Sequence, residues 1–359
     1  MGMIIAIQPD DYGKPESDKC DASSPRWASL LQKAGHDVRW VDAYGSDILD
    51  QVRGCQGFMW RFAHFGGMQQ IARRLLPVLE NELGLTVYPD QKTCWHYDDK
   101  ISQSYLLRSK GIPIPDTRVF WRLQDALDFI RAARLPLVAK LSGGAGSSNV
   151  RLVSSVPEGE QLAERLFSGL DTLKESDGFR AVMWPQERGR FAGALRLLLK
   201  GVPHSVPWSD GVEWEAPRKY MLVQEFLHGN AFDTRVTVIG NRAFGFRRFN
   251  RPDDFRASGS GRIDWDPSSV DMATVRLAFR TAQRLGAQSI AIDGLKKGDE
   301  RMVGEVSYTY VSWVVAECPG HWELHGDPDS GELLWREGHM WPEEAQIQDY
   351  LMRLKGRES

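Results

Sequence analysis

The first ninety residues alternate short β-rich runs with amphipathic segments, and this rhythm constrains the fold more than any other feature. Residues 3–8, 25–34, 38–41, 57–60 and 68–83 read as a βαβαβ order, which calls for a parallel sheet with crossover helices. Ligands of such sheets gather at the carboxyl ends of the strands. Asp10, Asp11, Tyr12 and Gly13, just after the first strand, stand there either as ligand contacts or as a plain polar turn.

The pattern changes near residue 95, where a domain junction is expected. Asp98 and Asp99 can cap a helix over 101–109, which Lys110-Gly111 ends and Pro113 and Pro115 keep from resuming. A helix over 123–134, a strand ending on Lys140, and strand-like runs at 150–153, 220–227, 234–239 and 242–249 follow. A helix over 268–285 and strands over 289–295 and 302–306 complete a mixed sheet. Residues 179–217, rich in Trp, Arg and Pro, show too little periodicity to assign.

At 359 residues the chain is long enough for two or three domains, read as 1–95, 96–228 and 229–359. Its net charge of −3 offers no footprint for nucleic acid, which needs clustered Lys and Arg. Cys20, Cys55, Cys94 and Cys318 lie far apart without a CxxC, as suits a reducing cytoplasm. The short apolar start lacks the leader and length of a signal or membrane span, so cytoplasmic localisation is expected.

Three constellations carry chemistry. Lys140 is followed by Ser142-Gly143-Gly144-Ala145-Gly146-Ser147-Ser148, where glycines let successive N–H groups turn toward a polyphosphate and the serines add donors. There is no Walker sequence, so the loop alone is weak. Asp293 and Glu305 close neighbouring strands across a short hairpin, a pairing that suits magnesium. Arg235, Arg247, Arg248, Arg251 and Arg256 follow the middle strands, and guanidinium forks match phosphate oxygens; only some of the five are expected to act.

These elements, in this order, resemble the ATP-grasp superfamily, in the branch of glutathione synthetases and ribosomal-protein-modifying glutamate ligases. The resemblance covers roughly residues 90–310 and rests on DDK at 98–100, PIPDTRVF, VAKLSGGAGSSNV, LVQEFLHGNAFDTRVTVIGNRAFGFRR, DDFRASGSG, AIDG and VGEVS. It implies an α/β ATP-grasp fold with an N-terminal Rossmann-like domain, and an ADP-forming ligase that joins a small-molecule carboxylate to an amine or thiol through an acyl phosphate. It further implies ATP with Mg2+ or Mn2+, no nucleic acid, no membrane span, and a chain free to work as a homodimer.

By the same resemblance Lys100 and Lys140 are the nucleotide lysines, Ser142, Gly143, Gly144, Gly146 and Ser147 belong to the lid, and Gln224, Glu225, Phe226 and Leu227 form the adenine hinge. Asp233 would meet ribose, and Arg235 and Arg247 would face phosphates. Arg256 would steady the acyl phosphate, while Asp293, Glu305 and Ser307 would hold metal. Ser307 stands where the family shows Asn, and a hydroxyl is the poorer ligand, which puts the second metal position in question.

Other residues carry less. His321 and His325, flanked by Pro319-Gly320 and Gly326-Asp327-Pro328, have little room for the helix that would pair them on a metal. Trp313, Trp322, Trp335 and Trp341 suit core packing, or else the sugar of an amino-sugar or glycan-linked acceptor. An ATP-grasp kinase and an ATP-binding module without catalysis remain the alternative readings. On the ligase reading, Arg256→Ala lowers turnover by about 10²-fold with little change in ATP affinity. Unchanged turnover in steady-state ADP release would remove Arg256 from the mechanism.

Overall fold

The computed structural model describes residues 2–10, 22–63, 67–143, 149–169 and 219–356. Gly144, Gly146, Ser147 and residues 179–217 lie outside the described residues. The first unit is a sheet of β1 (Ile4–Ile7), β2 (Asp37–Trp40), β3 (Gly57–Met59) and β4 (Thr86–Tyr88), all parallel in the order β2-β1-β3-β4. Helices α1 (Ser24–Lys33), α2 (Ile48–Gln51) and α3 (Met68–Pro77) are interleaved with these strands. Side chains alternate across the sheet: Ile5 and Ile7 pack with Trp27 and Leu31 of α1, while Ala6 faces Ala72 and Leu76 of α3. Both faces are therefore covered, as a parallel sheet requires.

After α4 (Gln91–Cys94), α5 (Lys100–Ser109) leads into an antiparallel sheet of β5 (Thr117–Phe120), β6 (Leu137–Lys140), β7 (Val150–Val153) and β8 (Met221–Glu225), in the order β5-β8-β6-β7. Helices α6 (Leu123–Ala132) and α7 (Val156–Phe167) cover one face, taking Leu137, Ala139, Met221 and Val223 into their core. The alternate residues Lys140, Leu222 and Gln224 consequently face the other way, into a cleft.

The third sheet runs β13-β12-β9-β10-β14-β15, with β11 beside β10. Its strands are β9 (Phe232–Ile239), β10 (Arg242–Phe249), β11 (Ile263–Asp264), β12 (Ser289–Lys297), β13 (Glu300–Ser307), β14 (Gly320–His325) and β15 (Glu332–Glu337). Helix α8 (Met272–Leu285) seals one face against Val236, Val238, Ile290 and Ile292. The hairpin β14–β15 is strand where sequence periodicity left only a Trp-rich tail. His321 and His325 flank Glu323 there at 3.7 and 3.8 Å, and Arg336 holds the same carboxylate at 2.8 Å.

After α9 (Ser312–Ala316), the last helix, α10 (Pro342–Gly356), returns to the first sheet. Ile347, Tyr350 and Leu354 join the core of Ile5, Ile7 and Trp27. Polar contacts fix the docking: Glu343, wholly buried, accepts hydrogen bonds from Ser23 and Ser312, and Trp27 donates its indole N–H to Gln346. Among the described residues no helix is long and apolar enough to cross a membrane.

Gly57 marks the tightest point of that docking. A Cβ there would lie 1.8 Å from the Tyr350 hydroxyl, which donates at 2.8 Å to the Thr86 carbonyl. Gly57→Ala is expected to cost about 1–3 kcal/mol through overpacking, with part recovered by Tyr350→Phe. The urea midpoint, followed by tryptophan fluorescence, measures this; an unshifted midpoint in the single variant would show that α10 yields freely.

Candidate functional site

The cleft between the second and third sheets is built by local rules acting on each strand. Lys140 ends β6, and Lys100 opens α5, where Asp99 caps the helix by accepting from Ser102 N at 3.0 Å. Asp99 also accepts from the Ser142 hydroxyl at 2.8 Å, while Ser142 O takes the Lys100 N–H at 2.9 Å. Ser142 N donates to the Tyr220 hydroxyl at 2.7 Å. Ser142 thus ties the start of the glycine loop to α5, and beside it a Cβ on Gly143 would press on Asp98 at 3.3 Å.

Glu305 reaches the cleft through a β-bulge. Register slips between Asp293↔Glu305 and Gly294↔Val303, so one extra residue sits in β13. Val303 and Val306, three apart, both pack beneath α8, and Glu305 points to the opposite face. Helix α5 is fastened to the same strand, since Gln103 donates to the Val306 carbonyl at 3.0 Å. Lys100 Nζ consequently stands 3.4 Å from Glu305 Oε1.

Lys100, Lys140, Thr117, Gln224 and Glu305 line a cleft that also presents Leu107, Ile114, Leu222 and Val303. Gln224 donates to Thr117 at 2.9 Å. Two ammonium groups, a carboxylate and several apolar side chains thus share one cleft. At the end of β8 and just beyond it, Glu225 pairs with Lys297 at 2.7 Å, Phe226 packs edge-on against Phe255, and the Leu227 carbonyl accepts from Asn230.

Beside the lysines lies a lattice of four charged side chains on β9, β10 and β12. Arg235 grips Asp293 with two bonds of 2.7 and 2.9 Å. Arg248 grips Asp233 at 2.8 and 2.6 Å and reaches Asp293 at 2.8 Å. Burial alone would raise the Asp293 pKa, yet Arg235 and Arg248 overcome it and hold the carboxyl well below the carboxylate range. Burial and the neighbouring Asp293 charge raise that of Asp233, against the pull of Arg248.

The structure therefore gathers Lys100, Lys140, Asp293, Glu305 and Arg235, and it adds Arg248. Strand alternation marks Arg248 in advance: Phe244 and Phe246 share one core, so Arg248 shares their face and Arg247 does not. Arg247 instead pairs with Asp264 of β11 and lies over the Phe232 ring. Arg256 is held by Asp254, two residues earlier, at 2.6 Å. Asp233 spends both oxygens on Arg248.

A divalent cation finds a suitable oxygen donor in Glu305, whose side chain is 41% exposed. Asp293 sits between two guanidinium groups, and the Ser307 hydroxyl donates to the Thr309 carbonyl at 2.7 Å. Among the described residues no three His, Cys, Asp or Glu side chains converge as a metal cage. Glu305 is thus the more exposed of the two carboxylates, with the Lys100 ammonium 3.4 Å away.

No family model matches the chain, and no curated protein matches it. Solved structures do. A RimK domain ATP-grasp protein from Sphaerobacter thermophilus is similar over 97% of this chain and 99% of its own, with a TM-score of 0.51 at 15% identity. D-alanine–D-alanine ligase from Bacillus anthracis, complexed with ATP, is similar over 100% of both chains (TM-score 0.53, 13% identity). D-cycloserine synthetase DcsG is similar over 98% of this chain and 99% of its own (TM-score 0.54, 15% identity). The likeness extends over the whole chain, from the parallel sheet to the last helix.

Desolvation, opposed by Glu305 and reinforced by the charge of Lys100, lowers the Lys140 pKa to about 8. Between about 8 and the ordinary 10.5 the folded chain then binds fewer protons than the unfolded chain, so the contribution of Lys140 to stability rises with pH across that window. A bound polyanion restores the charge. Binding of tripolyphosphate just above pH 8 should accordingly take up protons and weaken as pH rises. Calorimetry in buffers of different ionisation enthalpy reads this, and identical heats in all buffers would contradict it.

Proposed function

We propose that this chain, whose fold is that of the ATP-grasp enzymes, is an ATP-dependent ligase that activates a small-molecule carboxylate as an acyl phosphate and transfers the acyl group to an amine. The observation that carries this reading is the meeting of Lys100, Lys140 and Glu305 in one cleft with Leu107, Leu222 and Val303, with Arg235 anchored by Asp293. The apolar side chains suit adenine, and the lysines suit the phosphates. Lys140, already depressed to about 8, gains most from a polyanion that stabilises its charge.

Phosphoryl transfer needs positioning and charge stabilisation more than covalent help from the protein. The carboxylate oxygen attacks the γ-phosphorus, the bond to the β,γ-bridging oxygen breaks, and ADP leaves. Arg235 and the lysines stabilise the charge that spreads over the transferred group. The amine then attacks the acyl carbon and expels phosphate, which carries away one oxygen of the original carboxylate. A divalent cation at Glu305 would supply further neutralisation of the phosphates when bound.

Of the C-terminal tryptophans, Trp322 is buried and meets the exposed Trp335 ring at 4.8 Å, tilted, in the β14–β15 hairpin at the sheet edge opposite β13. The acceptor is proposed only as an amine.

The direct test incubates the chain with Mg2+, ATP and pairs of 18O-labelled carboxylates and amines. Label is expected in inorganic phosphate, in step with ADP and an amide product. A stable phosphoester without labelled phosphate would make the protein a kinase and overturn the ligase reading. Glu305→Gln should lower metal-dependent ADP release by about 10²-fold or more with the circular dichroism spectrum unchanged; full activity would remove Glu305 from the site.

A further inference from the structure

We propose that Asp293 serves as a positioning residue for two arginines and does not ligate metal, so that the chain works with one divalent cation, on Glu305. This rests on the nucleotide-dependent reading above and goes beyond it by giving Asp293 a different task. Asp293 Oδ1 accepts from Arg235 Nε at 2.7 Å, and Oδ2 accepts from Arg235 Nη2 at 2.9 Å and Arg248 Nη2 at 2.8 Å. Arg248 is fixed in turn by both oxygens of Asp233. The Asp293 side chain is 13% exposed and that of Arg248 9%.

A cation taking Asp293 would have to break a charge-assisted, two-bond grip and then sit beside the guanidinium groups it had displaced. On the strand opposite, Glu305 is the carboxylate that faces Asp293, and Ser307 commits its hydroxyl proton to Thr309 O. Glu305 has a looser hold, one ion pair to the Lys100 ammonium in place of two guanidinium grips. Its side chain is the most open of the three carboxylates, and its ammonium neighbour stands at 3.4 Å. Asp293 and Glu305 face each other across the β12–β13 ladder, yet one is enclosed by two guanidinium groups while the other is the more exposed, with one ammonium beside it.

The test counts bound Mn2+ from the free-ion electron paramagnetic resonance signal, with the full chain saturated by β,γ-imido ATP. One Mn2+ per chain is expected. Two would overturn the proposal while leaving nucleotide binding intact, and failure of the analogue to bind at all would remove the underlying reading and the proposal together. Asp293→Asn should leave Mn2+ affinity within about twofold, yet reduce the preference for the triphosphate analogue over ADP by about tenfold, because Arg235 loses its anchor. Glu305→Gln should weaken Mn2+ by about tenfold or more. Equal loss of Mn2+ in both variants would restore Asp293 as a ligand. The Mn2+ count on the unmodified chain decides the matter even if Asp293→Asn fails to fold.

Discussion

Buried charge has to be paired, and in this protein the pairing of Asp233, Arg248, Asp293 and Arg235 across three adjacent strands is the constraint around which this face of the third sheet is arranged. Each of these side chains would be costly to bury alone. Together they satisfy one another, and they do so only in the register that sets Asp293 opposite Arg235 and Asp233 opposite Arg248. A slip by one residue would turn the charged set into the core beneath α8 and bring Val236 and Ile292 out. The chemistry of the face and the register of the sheet are thus one requirement.

The lattice also explains why Glu305 differs from Asp293. The two stand opposite each other, but the arginines approach from β9 and β10, on the far side of β12. Glu305 lies on β13 at the sheet edge, where its neighbours are Lys100 of α5 and Lys140 of the second sheet. A desolvated carboxylate between guanidinium groups becomes a structural anion, whereas a more open one in the cleft remains available to ligands.

Distant elements hold this geometry steady. Asp10, at the carboxyl end of β1, accepts the N–H groups of Ser23 and Ser24, and burial raises its pKa to about 6 against the opposing pull of Arg61. Arg61 in turn donates to Thr309 and Tyr310, just beyond β13. The carboxyl end of the first sheet is therefore linked to the segment that follows β13, the strand that carries Glu305, and α10 joins the same region through Glu343.

Much of this was legible in the sequence because it depends on near neighbours. The strand over 242–249, the capping of α5 by Asp99, the stop at Gly111 and the delivery of Lys140 at a strand end all follow from periodicity and turn chemistry. Strand alternation even contained the choice of Arg248 over Arg247, had Phe244 and Phe246 been used as the reference. Only the tertiary structure decided the bulge that turns Glu305 into the cleft, the partners of Asp293, and the return of α10 to the first sheet. The reason is physical: those outcomes depend on pairing between residues such as Arg235 and Asp293, 58 positions apart, and on which charges lose water together. Local propensity carries no record of either.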